Sequence, residues 1–171
     1  MSQRISFSTA RSHFFRAFLL AGLTAASFLA VNSAYSQNVD VQGAWARATV
    51  PGQKASGAFM KLTASSDTQL VSASTPAAGV TEIHEMKMEG NTMSMRPLEG
   101  GLVLPAGKIV ALAPGGYHVM LMDLKQQLTK GSKIALTLTF RTNGNQTTQE
   151  IQVPVLSEAP GGGHDHMSGM N

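Results

Sequence analysis

Apolar and polar residues alternate with a period of two through much of the second half of the chain. In KIALTLTF, Ile134, Leu136, Leu138 and Phe140 fall on one side, and Lys133, Ala135, Thr137 and Thr139 on the other. TTQEIQVPV repeats the pattern with Ile151, Val153 and Val155. Such alternation marks a strand with one buried face. Asn143-Gly144-Asn145, between the two segments, tolerates positive φ and predicts a hairpin. Read in the same way, strands are predicted over 41–49, 56–63, 69–74, 80–88, 92–97, 109–112, 117–124, 134–142 and 147–155. Residues 124–128 could close one helical turn, and no convincing helical window follows residue 36. Short strands at turn spacings of about 8–12 residues predict one antiparallel sandwich or barrel with Greek-key connections.

Two segments fall outside that pattern. Residues 1–36 carry Arg4, Arg11 and Arg16, then an apolar run of 15 residues, then small residues at Ala34 and Ser36. This is the layout of a cleaved secretory signal peptide; the competing reading is a retained N-terminal anchor. The run falls short of the about 20 residues a membrane span needs. Without a twin-arginine pair, the expected route is general secretion. From Ala159 the chain reads APGGGHDHMSGM, glycine-rich and without apolar period, which predicts a flexible tail over 159–171. The folded β-sandwich domain is expected over 37–158.

The leader changes the charge reading. Three of the 13 Lys and Arg belong to it, which leaves ten bases against ten acids. The remainder is near neutral, so basicity gives no ground for a nucleic-acid or anionic-membrane partner. A monomer without stable membrane insertion is expected after cleavage. The chain has no cysteine, which removes thiolate nucleophiles, zinc–thiolate sites and the thiolate of blue-copper carriers.

Histidine and methionine carry the remaining chemistry. Beyond the leader every histidine (His84, His118, His164, His166) has a methionine within three residues. His84 and Met86 form one H-x-M and His118 and Met120 another. Positions i and i+2 of a strand share a face. His84, Met86 and Met88 are therefore expected on one face, as are His118, Met120 and Met122. Met93 and Met95 follow after the MEGN turn and join the first group through a hairpin. Thioethers are neutral, soft donors that favour Cu(I) over zinc, magnesium or calcium, and imidazole suits copper in either oxidation state. Methionine also fills cores, which is the reading of Met60 in GAFMKLT. Met88, Met93 and Met122 fit packing as well as coordination. Spacing alone leaves open which methionine would complete a site. Glu82, Glu85, Glu89 and Glu99 are read as a solvated rim rather than an acid–base pair, and no nucleotide-binding or hydrolase motif occurs.

VTEIHEMKMEGNTMSMRPLEGGLVLPAGKIVALAPGGYHVMLMDL, residues 80–124, resembles the signature region of the periplasmic PCuAC copper chaperones. The resemblance runs over 39–156, with GAWARAT and GAFMKL included. It implies a cupredoxin-like antiparallel Greek-key β-sandwich, a Cu(I) cargo and no enzymatic activity. It further implies delivery toward the binuclear copper site of cytochrome c oxidase, with oxidase subunit II or another assembly chaperone as acceptor. The family pattern is a His, a Met after ten intervening residues, and a distal H-x-M. It falls here on His84, Met95, His118 and Met120, and so favours Met95 over Met86 as the first thioether. Further candidates are Met86, Met93 and Met122, and in the tail His164, His166 and Met167, where Cu(II) could bind as well. The rival readings are a copper-buffering or resistance protein, a cupredoxin electron carrier or copper enzyme, and a metal-free adhesion sandwich.

Overall fold

A computed structural model of the chain describes residues 38–160. The leader and the tail residues His164, His166 and Met167 lie outside that range. The described residues form ten strands: β1 (Val39–Arg47), β2 (Ala55–Ala64), β3 (Thr68–Ser74), β4 (Ala78–Glu89), β5 (Thr92–Pro97), β6 (Leu102–Leu104), β7 (Ile109–Leu112), β8 (His118–Leu124), β9 (Lys133–Thr142) and β10 (Asn145–Leu156).

The strands pair in the order β5-β4-β8-β2-β1-β10-β9-β3-β6, with β7 added to β2. One half of this path, from β5 to β1, continues into the other where β1 and β10 pair in parallel, Ala46 opposite Val155 and Arg47 opposite Leu156. The other strand pairs along the path are antiparallel. Inward residues of both halves meet in a single core. Leu62, Val119 and Leu121 from one half, and Leu70, Leu136, Leu138, Val153 and Val155 from the other, are fully buried within it. This is the all-β sandwich that the alternation predicts. The β9–β10 turn also forms as expected, with Asn143 at φ 50° and Gly144 at φ 81°.

Two local features differ from the expectation. Leu102–Leu104 is a strand of three residues on β3, too short to display a period of its own. Residues 125–126 form a bend and 127–129 are irregular, instead of a helical turn. Their hydrogen bonds go across the fold: Thr49 N–H donates to the Leu128 carbonyl, and Leu128 N–H donates to Thr49 Oγ1 at 2.9 Å. Those long-range bonds satisfy the backbone and draw Leu128 into the core, 1% exposed.

Candidate metal centre

The site begins with the register of β4 against β8. His84 lies directly opposite His118, and Ile83 directly opposite Val119. Directly opposed residues project from the same face of a sheet. Ile83, Val119 and Leu121 point into the sandwich core, which sends His84, His118, Met120 and Met122 to the other face. The H-x-M pairs are therefore not core filler of the main core.

The two histidines are nevertheless buried, at 7% and 6% exposure. A small aromatic cluster on the outer face helps cover His118. Trp45 pairs with Phe59 across β1 and β2, ring centroids 4.7 Å apart, and both are buried outside the principal core cluster. The Phe59 ring lies 6.3 Å from that of His118. Gly57, opposite Met120, leaves room between them, since a β-carbon there would come within 3.0 Å of Phe59 Cζ.

The hairpin of β4 and β5 brings the second set of donors. Its two-residue turn places Gly90 at φ 62°, a backbone that suits glycine. In the resulting register Met86 faces Met95 and Met88 faces Met93. Met95 reaches past β4, and its Sδ stands 3.2 Å from His118 Nε2. Met86, Met95, His118 and Met120 line one open cavity of about 310 Å³, together with Phe59, Arg47 and the Pro114-Gly115 loop. Met122 lies one rung further along β8, opposite Ala55 and Val80, and Met93 is on the exposed outer part of the hairpin; neither lines this cavity. His84 does not line it either, but its ring centroid is 5.8 Å from that of His118.

Hydrogen bonding decides which ring nitrogens hold a free lone pair. His118 Nδ1 lies 3.0 Å from the Gly116 carbonyl, which can only accept, so Nδ1 carries the proton. Neutral His118 then presents Nε2 as a bare donor toward Met95 Sδ. His84 is oriented the other way. Its Nε2 donates to Glu82 Oε2 at 2.8 Å, and its Nδ1 is buried without any hydrogen-bond partner. A buried, unpaired polar atom is destabilising by about 1–3 kcal/mol, so each such atom calls for an explanation. Two imidazole lone pairs and nearby thioethers lacking a proton donor make a site suited to a soft cation. Among the described residues no three His, Cys, Asp or Glu side chains gather in a way that could hold a metal. Charge around the site is uneven. Arg47 lies over the Phe59 ring at 5.6 Å and forms no ion pair with a described residue, whereas Arg96 on β5 pairs with Glu85 and Glu89.

Sequence reasoning passed over Phe59, Gly57 and Arg47. The available signal was the alternation in SGAFM, which puts Gly57 and Phe59 on one face, but nothing local says that β8 lies beside it.

A family model described as "Putative lipoprotein LpqE-like" matches residues 39–155. "Putative lipoprotein Lxx21020" of Leifsonia xyli subsp. xyli is 36% identical over 120 residues, which is 70% of either chain. Among solved structures, CuI-DR1885 from Deinococcus radiodurans is similar with a TM-score of 0.56 and 28% identity, covering 71% of this chain and 82% of that one. The copper-bound PCuAC domain from PmoF2 has a TM-score of 0.55 at 22% identity, covering 71% of this chain and 94% of that domain. The apo PCuAC domain from PmoF1 has a TM-score of 0.55 at 24% identity, covering 72% and 95%. The fold is thus the cupredoxin-like fold of PCuAC domains.

Proposed function

The chain belongs to the LpqE-like family, of PCuAC type, and from that premise we propose that it is a copper(I) carrier of the cell envelope. Its ligands in this reading are His118 Nε2, Met95 Sδ, Met120 Sδ and His84 Nδ1. The observation that carries the proposal is the approach of Met95 Sδ to His118 Nε2, 3.2 Å, at the wall of a cavity that also holds Met120 and Met86. Metal bonds of about 2.0 Å to nitrogen and 2.3 Å to sulfur, at angles of about 90–110°, put two donors on one ion about 3.0–3.5 Å apart. Two lone pairs facing each other at that distance gain little unless a cation lies between them. The donor set also fits copper by kind, since thioether and neutral imidazole together favour Cu(I). CuI-DR1885, at 28% identity, is a copper(I) form, which supports the same cargo.

Four neutral ligands suit a carrier. Binding needs no thiol deprotonation, the ion keeps its single charge, and an incoming thiolate can replace thioethers one at a time. Met95 is 49% exposed, so an acceptor reaches it without unfolding the hairpin. Delivery is directed to the binuclear copper site of cytochrome c oxidase, through subunit II or another assembly chaperone. Export by the signal peptide over residues 1–36 places the folded domain in the periplasm, and His164, His166 and Met167 of the tail form an auxiliary site.

The decisive experiment is anaerobic Cu(I) titration against a chromophoric competitor, with X-ray absorption of the loaded protein. It is carried out on a chain with His164, His166, Met167 and Met170 replaced by alanine, so that the tail contributes nothing. One equivalent in a mixed nitrogen–sulfur shell is expected, lost in His118→Ala. An all-nitrogen/oxygen shell, or no binding, refutes the site. Transfer from the loaded chain to an isolated oxidase copper domain tests the acceptor separately.

A further inference from the structure

We propose that the β4–β5 hairpin carries a second, outer station for soft monovalent cations, formed by Met88 and Met93. This goes beyond the carrier site and rests on the copper reading only for the identity of the natural ion.

The register makes Met88 and Met93 a directly opposed pair one rung outward from Met86 and Met95. Opposed side chains in an antiparallel pair have β-carbons about 4.5–5.5 Å apart, well within the reach of two flexible methionines. The next rung lies about 7 Å away along the strands. Four thioethers therefore form a two-rung ladder on one face of the hairpin, its inner rung lining the site cavity and its outer rung close to the turn.

Packing does not explain the outer rung. Met88 is 57% exposed and Met93 46%, so neither fills a core. The ion pairs of the hairpin lie elsewhere. Its opposite face carries Glu85, Lys87 and Glu89 with Arg96, and Arg96 Nε donates to Glu85 Oε1 at 2.9 Å and Nη1 to Glu89 Oε1 at 3.2 Å. Exposed strand positions ordinarily favour threonine or β-branched residues. Methionine is the apolar side chain that adds a soft donor atom, and here it occurs twice, face to face. Two thioethers without an imidazole hold such an ion more weakly than a site with two imidazoles, as a station on the way in or out requires.

The test is titration of the purified full chain with silver(I) alone, a redox-inert soft cation, followed by NMR of methionines labelled at the ε-methyl carbon. The first equivalent is expected to shift the Met95 and Met120 methyls, and a later one the Met88 and Met93 methyls. Met88→Leu/Met93→Leu should lose the later event and keep the first. Met88 and Met93 methyls that do not respond overturn the proposal. So does a response that coincides with Met95 and Met120 at the first equivalent, because the ladder is then one site. A response at Met88 and Met93 without any at Met95 and Met120 leaves the outer station standing and sinks the core site instead. Tail methyls of Met167 and Met170 are assigned separately and enter neither comparison.

Discussion

Replacing Glu82 with alanine removes the acceptor that fixes the orientation of His84. The Glu82 carboxylate accepts from His84 Nε2 at 2.8 Å, and in doing so it places the imidazole proton on Nε2 and the lone pair on the buried Nδ1. Without it, neutral His84 is free to move its proton to Nδ1, the atom assigned to copper, and the donor is lost in that tautomer. Carboxylate partners of metal-binding histidines are worth about 10–100-fold in metal affinity. Because the Glu82 side chain is 41% exposed, water substitutes for part of the hydrogen bond, and the lower end of that range, about tenfold, is expected for Glu82→Ala. Glu82→Gln keeps an acceptor oxygen and should recover most of the loss. The same contact contributes little to folding, so the melting temperature of both variants should stay near that of the parent. Two assays separate positioning from general damage. Competition titration gives the Cu(I) affinity, and long-range ¹H–¹⁵N correlation spectra of the metal-free protein give the His84 tautomer directly. Parent and Glu82→Gln should show protonated Nε2, and Glu82→Ala a mixture. If Glu82→Ala kept both the parent affinity and the Nε2–H tautomer, Glu82 would have no positioning role.

Met95→Leu conserves volume at a half-exposed position, so denaturant midpoints should barely move while Cu(I) affinity falls by about tenfold, about 1.4 kcal/mol; an unchanged affinity would return the first thioether to Met86. Arg47, without an ion pair among the described residues, lies over Phe59 at the cavity edge, and Arg47→Glu should slow copper transfer to an anionic thiolate acceptor, most visibly at low salt, without altering equilibrium affinity. Stopped-flow transfer rates at two ionic strengths check this, and equal rates would remove Arg47 from the transfer step. Leu121→Ala opens a cavity at a fully buried position on the core face of β8 and should lower unfolding free energy by about 2–5 kcal/mol in urea.

Much of the fold was legible because its signals are local. Alternation shows in KIALTLTF of β9 and at Ile151, Val153 and Val155 of β10, and Asn143-Gly144 supplies the backbone that their turn needs. The same period put His118 and Met120 on one face of a strand and Val119 and Leu121 on the other, and the core contains Val119 and Leu121. Less regular pieces were hidden. A strand of three residues has no period to read, and in residues 125–129 the backbone bonds of Lys125 and Leu128 go to Ala77 and Thr49, far off in sequence, instead of closing a helical turn. The parallel pairing of β1 with β10 likewise has no local signature.

The candidate site divides along the same line. From its own residues the sequence determined which side chains bear soft donors and which of them share a strand face, since both follow from residue type and a period of two. It could not choose between Met86 and Met95, because these face each other across one hairpin and satisfy the same periodicity. Tertiary structure decided where each thioether ends: Met95 Sδ reaches His118 Nε2, while Met88 and Met93 stay in solvent. It also supplied Phe59 and Arg47 from β2 and β1, and it oriented His84 by Glu82 and His118 by the Gly116 carbonyl. The physical reason is that periodicity fixes the face a side chain takes, whereas distances between donors depend on register and strand order, which are set by contacts between residues far apart in the chain.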